Sequence, residues 1–200
     1  MASTRSNQTI SNFKTSLFGG GSRPNLFEVE LTSLPAGVIG TGAWDSTNFK
    51  FMCKASQLPG QTVAPIEVPF RGRTFKVAGD RTIDPWTVTI INDEDFKYRN
   101  AFEAWTELIV KLSNNLGATQ PASYMKNAKV YQLGRGSTKS STTNAGNANA
   151  ILKEYEFVDI FPTSVSPIDV SYESTNVIEE FTVEFQVQTI IVTGAGGVNA

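Results

Sequence analysis

Clustered carboxylates and glycine runs are the groups in this chain whose types and spacing come nearest to a chemical site. Asp93, Glu94 and Asp95 are consecutive, and a hard divalent cation binds clustered carboxylates of this kind. No calcium-loop glycine or distal glutamate follows at the required spacing, so capping of a helix is the favoured interpretation. Gly19–Gly21 lacks a following Gly-Lys-Ser/Thr and precedes a strand pattern, which does not suit a phosphate loop. Residues 134–140 hold phosphate-loop residue types in the wrong order.

Nucleophilic catalysis has little support in the composition. The 200 residues include no histidine and a single cysteine, Cys53. Because no histidine is present to activate it, Cys53 is better interpreted as a small core residue. A lone cysteine forms no internal disulfide, and a reducing compartment suits it. We therefore expect no enzymatic activity, no metal and no cofactor.

Charge is distributed unevenly along the chain. Residues 151–200 carry eight acidic side chains and one basic side chain, whereas residues 1–150 carry 16 basic and 11 acidic ones. Either folding mixes these charges on one surface, or basic and acidic patches of identical subunits meet head to tail. Arg71, Arg73, Lys76 and Arg81 form the main basic cluster. In a chain of net charge −2 this is a weak footprint for nucleic acid, and subunit contact is the better interpretation.

Apolar periodicity predicts a mainly β (α+β) protein: one domain over residues 1–200, forming an antiparallel β-barrel or sandwich with one flanking α-helix. Residues 1–25 are expected to form a flexible polar arm, and residues 134–150 a low-complexity loop. The helix is expected to begin at Asn92 or Asp93, to end near Gly117 and to bury an apolar stripe. The stripe comprises Tyr98, Phe102, Trp105, Ile109 and Leu112. Predicted strands include Asn25–Leu31, Phe49–Lys54, Ile66–Val68, Thr74–Val77, Trp86–Ile90, Lys153–Phe157 and Phe181–Gln188.

Three blocks of sequence carry a family resemblance. Residues 54–105 place a Leu-Pro-Gly turn, a Pro-Phe-Arg-Gly-Arg segment, an Ala-Gly-Asp-Arg-Thr turn, an alternating strand and a helix in that order. The other blocks are residues 19–29, and residues 161–166 together with 177–185. In this order they resemble the tail tube proteins of contractile-tailed, T-even-like bacteriophages. The related tube fold of type VI secretion systems is implied as well.

The resemblance implies a structural virion protein. Hexameric rings would stack into a hollow inner tail tube that phage DNA crosses transiently, without specific binding. Expected partners are the tail sheath, baseplate, tail terminator and tape measure proteins. Assembly is expected in the cytoplasm of the host bacterium, because no apolar run is long enough for a membrane span. Two alternatives remain: the tube of a headless contractile particle or type VI secretion system, and a monomeric carbohydrate-binding β-sandwich.

Two groups of site residues follow from these patterns. Ser56–Arg81 is interpreted as a long Pro-rich loop region that contacts neighbouring subunits. Its proposed contact residues are Leu58, Pro59, Gly60, Arg71, Arg73, Asp80 and Arg81. In the C-terminal strand Phe181, Val183, Phe185 and Val187 must face a core, so the opposite face meets water. The candidates to line the lumen with a neutral to acidic surface are Thr182, Glu184, Gln186 and Gln188.

Overall fold

Nine strands and four helices make up the described part of the molecule. The computed structural model describes residues 9–17, 21–38, 44–134 and 151–194. The elements in chain order are α1 Ile10–Ser16, β1 Phe27–Leu31, α2 Ser46–Met52, β2 Cys53–Gln57, β3 Gln61–Phe70, β4 Arg73–Ile83, β5 Trp86–Ile91, α3 Lys97–Ile109, α4 Pro121–Tyr124, β6 Lys126–Leu133, β7 Ile151–Val165, β8 Glu180–Gln186 and β9 Thr189–Gly194. None of these helices is both long and apolar enough to cross a bilayer.

Seven strands form one antiparallel sheet in the order β1-β6-β7-β8-β5-β2, with β9 also paired to β7. β8 and β9 follow β7 in a single register, because Val158 lies opposite Thr189 and Phe161 opposite Gln186. They are one strand interrupted at residues 187–188. No pairing within the described ranges joins β1 to β2, so the sheet is not closed into a barrel. The predicted antiparallel sandwich is confirmed.

The core lies between the apolar faces of the two halves of this sheet, and α3 covers it. The Trp86 ring on β5 stacks on Phe185 of β8, with centroids 5.1 Å apart, and lies 4.8 Å from Phe157 of β7. From α3, Phe102 packs at 5.8 Å and Trp105 at 6.0 Å from the same Phe185 ring. Burial alternates along β5 and β8, as their sequence patterns predict.

The flanking helix is shorter than its sequence pattern predicts. It begins at Lys97, after Phe96 in a left-handed conformation with φ of 52°, and Asp93 lies in the preceding turn. The Asp93 carboxylate accepts a hydrogen bond from the Lys97 backbone N–H at 3.0 Å, so this residue serves the helix start. Tyr98, Phe102 and Trp105 are buried as expected. Leu112 was wrongly included in the stripe, because it lies beyond the end of the helix and is exposed.

The strand predicted over Phe49–Lys54 is wrong for most of its length. Ser46–Met52 is the two-turn helix α2, and the Asp45 carboxylate caps it by accepting from the Thr47 N–H at 3.1 Å and the Asn48 N–H at 3.0 Å. Only Phe49 is buried there, while Phe51 is exposed. Strand β2 starts at Cys53. A local capping residue therefore outweighs the apolar pattern.

Two other predicted segments have a different structure from the one expected, and a third lies almost wholly outside the described residues. Ser56–Arg81 is not a loop, because most of it forms the antiparallel pair β3–β4, and the turn predicted at Ala78–Thr82 lies inside β4. The arm predicted over residues 1–25 contains helix α1, capped by Thr9, whose hydroxyl accepts from the Asn12 N–H at 3.3 Å. The low-complexity loop of residues 134–150 lies outside the described residues except for Gly134.

Candidate assembly surfaces

Strands β3 and β4 form a two-stranded sheet of their own, and every residue of β3 is exposed. The Asp84 N–H donates to the Gly60 carbonyl at 3.0 Å and closes the base of this hairpin. Arg71 and Gly72 form its tip, with φ of 46° and 79°. Two successive positive φ values are typical of the tight turns that match the twist of paired strands. The hairpin is therefore a regular element that projects from the sandwich.

One face of this hairpin is apolar. The register places Ile66 opposite Val77, Val68 opposite Phe75, and Phe70 opposite Arg73, so their side chains share one face. We call Ile66, Val68, Phe70, Phe75 and Val77 the apolar hairpin face; these side chains are between 44% and 67% exposed. A contiguous exposed patch of this kind marks an interaction surface. The sequence predicts strands over Ile66–Val68 and Thr74–Val77, but the shared apolar face depends on the register that pairs them.

The opposite hairpin face is polar. Glu67 lies opposite Lys76, and their charged groups are 3.3 Å apart. Pro65 and Pro69 flank this pair on the same strand face. A surface ion pair of this kind contributes little stability. The polar face can therefore stay in water, and the apolar face is the one that needs a partner.

A bulge near the base fixes the direction of the hairpin. The register shifts between Val63 and Pro65, opposite Gly79 and Asp80. A Cβ at Gly79 would lie 2.6 Å from the Ala64 carbonyl oxygen, so this close backbone approach requires glycine. Beside the bulge, the Arg81 guanidinium donates to the Gln61 side-chain oxygen.

The structure separates the predicted contact residues into three places. Leu58, Pro59 and Gly60 lie at the hairpin base, and Asp80 and Arg81 lie beside the bulge. Arg71 and Arg73 lie together at the tip. The Arg71 guanidinium stands 5.4 Å from the centre of the Phe70 ring. The tip therefore combines two cationic groups with aromatic surface.

The candidate lumen residues share one side of β8 except at its end. Thr182, Glu184 and Gln186 alternate with the buried residues of this strand. Thr182 lies opposite Thr89 of β5 with hydroxyl oxygens 3.4 Å apart. Gln188 falls in the break between β8 and β9 and is exposed. These side chains form a polar strip on the outer side of the sandwich, and its place in an assembly stays a prediction.

The described residues present neither a clustered metal site nor a reactive thiol. No group of three or more His, Cys, Asp or Glu side chains there is arranged to hold a metal ion. Cys53 is buried, and desolvation raises the pKa of its thiol to about 12. Its sulfur stays protonated near neutral pH and is a poor nucleophile. The hairpin with its exposed apolar face is the candidate functional surface of the described residues.

Comparisons with known proteins identify the family and the fold of this chain. The model of the phage tail tube protein family matches residues 22–193. The tail tube protein gp19 of Enterobacteria phage T4 is 36% identical over 165 residues, which cover 82% of this chain and 88% of the relative, and that of Enterobacteria phage T6 matches equally. A chain of the PVC sheath–tube complex, from an extracellular contractile injection system, shares the fold with a TM-score of 0.55 at 15% identity, covering 94% of this chain and all of the other. This chain belongs to the phage tail tube protein family.

Proposed function

We propose that this tail tube protein forms hexameric rings that stack into the inner tube of a contractile phage tail, through which DNA passes into the host. The apolar hairpin face carries this proposal, since five large side chains remain exposed in the single subunit. Burying an exposed apolar face against another subunit supplies the main free energy of association. A protein with this surface is built to assemble.

The shape of the hairpin suits a contact between rings. Strand β3 has ten residues and therefore spans roughly 33 Å when extended. A projection of this length reaches well beyond the body of the subunit. Lateral closure of a ring and axial stacking need two different heterologous interfaces, and the hairpin provides one of them. The edges of β1 and β2, which have no strand partner among the described residues, provide surfaces for the other.

Partners and location follow from the same proposal. The subunit would lie inside a sheath, between a baseplate and a tail terminator, and would assemble around a tape measure protein in the host cytoplasm. A fold shared with a chain of a sheath–tube complex supports the sheath contact. The 36% identity to a phage T4 protein favours a phage tail over a headless injection particle. Capsid and terminase genes beside this gene would separate those two cases.

Electron microscopy of the purified protein tests the proposal directly. Negative-stain images should show rings or tubes of uniform diameter, and averages of end views should show sixfold symmetry. Sedimentation should show large assemblies that grow with protein concentration. A protein that stays monomeric at high concentration, with no rings in any image, would overturn the proposed assembly.

The arginines of the tip give a first prediction. Replacing Arg71 and Arg73 together with alanine should leave a folded subunit that assembles poorly, because guanidinium groups at the tip are suited to paired contacts with carboxylates of a neighbour. Tube yield after size-exclusion chromatography measures the effect. Arg23→Ala is the matched control, since Arg23 is exposed and lies outside the hairpin. Normal long tubes from the double variant would remove these side chains from the interface.

The polar strip of β8 gives a second prediction. In a lumen, a glutamate repeated in each subunit forms an acidic ring that repels the phosphates of DNA. Particles with Glu184→Lys should therefore keep tube and sheath but deliver DNA more slowly, with a delay that added salt relieves. Glu184→Gln is the control and should show a much smaller delay. Normal delivery combined with a loosened sheath would place this strip on the outer wall.

A third prediction concerns catalysis. We expect no turnover of nucleotides, glycans or redox substrates, because histidine is absent from the chain and its single thiol is protonated and buried. Sensitive assays on purified tubes should give rates equal to the buffer alone. Turnover that a single substitution abolishes would contradict this expectation, and Cys53→Ser is the first variant to compare.

A further inference from the structure

The connection between β7 and β8 forms a cavity that is lined by both apolar and acidic residues and lies far along the chain from the hairpin. The cavity has a volume of about 500 Å³. Its walls include the side chains of Ile168, Val170, Val177 and Ile178, with Asp169 and Glu180 at the same site. Val170 and Val177 are at least 73% exposed, so the subunit itself does not cover this wall. A cavity of this size accommodates a few side chains.

Charge in this connection has one sign. Residues 167–180 contain Asp169, Glu173, Glu179 and Glu180 and no basic residue. Glu180 pairs with Lys54 at 2.5 Å, and Glu179 accepts from the Asn92 side-chain amide at 3.1 Å. Within the part of the chain that the structure describes, Asp169 and Glu173 have no ion-pair partner. The Asp169 carboxylate at the cavity wall and the Glu173 carboxylate elsewhere in the same connection therefore remain available.

The hairpin tip has the complementary chemistry. Arg71 lies in the turn and Arg73 directly follows it, and neither has an ion-pair partner in the described residues. Phe70 and Phe75 lie close to them in the strand pair. Both phenylalanines are about two-thirds exposed. The tip therefore offers cationic groups and aromatic rings together, while the cavity offers carboxylates and aliphatic walls. Complementary charge of this kind fixes the register of an interface and excludes wrong partners.

We propose that the hairpin tip of one subunit inserts into the β7–β8 cavity of a neighbouring copy. The proposal rests on the tube function and names the surface that receives the hairpin. The tip and the cavity are both exposed in the single chain, so they do not pack against each other within one subunit. Two complementary patches at different places on one chain make a head-to-tail contact that repeats from copy to copy. It also explains why basic and acidic residues are concentrated in different parts of the sequence.

A second acidic surface on the sandwich is a poorer receiver. On the outer face of β1, β6 and β7, the Lys50 ammonium lies 2.7 Å from Glu28, and the Lys129 ammonium lies 2.8 Å from Glu154. The Tyr131 hydroxyl donates to Glu30 at 2.9 Å. Because these carboxylates already have partners on the same face, they have less to gain from the arginines of another subunit.

Charge exchange tests the proposal. Arg71→Glu with Arg73→Glu should raise the critical concentration for assembly by about tenfold or more, and so should Asp169→Lys with Glu173→Lys. All four substitutions in one chain should restore assembly to near the wild-type concentration. As a control, the tip variant combined with Glu154→Lys and Glu156→Lys should not be rescued. Circular dichroism and thermal unfolding of each variant establish that the subunits are folded.

Each pattern of results has a distinct meaning. If the tip variant fails and the cavity substitutions do not rescue it, the hairpin contacts another surface and the proposed cavity is wrong. Rescue by the Glu154 and Glu156 substitutions would assign the tip to the outer sheet face instead. If wild-type protein forms tubes and both charge-reversed variants form them equally well, the tip–cavity contact is excluded while the tube function stands. If wild-type protein never assembles, the tube function itself fails.

Cross-linking of assembled protein tests which residues of two copies lie close together. A chain carrying Arg73→Cys and Glu173→Cys, treated with a short bismaleimide, should give a ladder of covalent oligomers on a denaturing gel. Each single variant should give at most a dimer. The native Cys53 does not compete, because it is buried and its thiol pKa is about 12. Assembled tubes without a ladder would contradict the proposed contact.

Discussion

Serine at both Val68 and Phe75 is expected to raise the critical concentration for tube formation about a hundredfold while leaving each subunit folded. The two residues lie opposite each other in the register, at the centre of the apolar hairpin face, and 46% and 67% of their surfaces are exposed in the single chain. Burying what remains exposed is worth about 3 kcal/mol per contact. Since 1.4 kcal/mol corresponds to a tenfold change, the critical concentration should rise by about a hundredfold. Sedimentation velocity across a dilution series measures it.

The opposite face of the same hairpin supplies the matched control. Glu67 and Lys76 form the next cross-strand pair, and their side chains point away from the apolar hairpin face. Serine at both positions removes an exposed ion pair, which contributes little. We expect the critical concentration of this control to change by less than about fivefold. Equal losses in the two variants would mean that the hairpin acts through its backbone shape, and tubes of normal yield from the Val68/Phe75 variant would exclude the face from assembly.

Replacing Phe102 with alanine should lower the free energy of unfolding by about 3–5 kcal/mol. This ring lies at the meeting point of α3, α2 and β8: it is fully buried and packs on Phe49, Phe181 and Phe185 at centroid distances of 5.8 to 6.3 Å. The truncation leaves a cavity that the surrounding rings do not refill. For a chain of this size the melting temperature should fall by about 10 °C.

Assembly must not contribute to that measurement, because association stabilises the folded state by mass action. The comparison is therefore best made in the Val68→Ser, Phe75→Ser background, where the subunits stay separate. Phe51→Ala is the matched control: it removes the same ring from α2, where 77% of the side chain is exposed. Its melting temperature should differ by less than about 2 °C. A Phe102→Ala subunit as stable as that control would mean that α3 contributes little to the core.

Local periodicity determined which elements the sequence could predict. Phe181, Val183 and Phe185 alternate with polar residues and are all buried, and the spacing of Tyr98, Phe102 and Trp105 matches one helix face. These patterns report directly on which side of an element is covered. The sandwich with its flanking helix was therefore predictable, although residues 187–188 hid the division between β8 and β9.

The sequence predicts short strands over Ile66–Val68 and Thr74–Val77, but not the full length of β3 and β4 or their pairing, because Pro65, Pro69, Gly72 and Gly79 are usually signs of a loop. Each has a specific reason to be there. Among the described residues β3 pairs with β4 alone, and proline is tolerated on a strand with an unpaired edge. Gly72 supplies a positive φ at the tip, and Gly79 allows the close approach of the bulge. The candidate site was likewise only partly predictable. The charge pattern predicts its arginines, whereas the apolar hairpin face depends on a register that only the paired strands define.

The pairing of β1 with β6 has a consequence for the order in which the chain folds. Glu30 and Tyr131, which contact across this pair, are 101 residues apart in the sequence, whereas Phe70 and Arg73 close the hairpin across a two-residue turn. Local contacts form fast, and closure over a long chain segment is slow. We therefore expect the hairpin to expose its apolar strands before the sandwich is complete, when newly made chains are most prone to aggregate. We expect Arg71 and Arg73, which have no ion-pair partner in the described residues, to act as gatekeepers in that interval, because like charges at the tips of two hairpins repel each other.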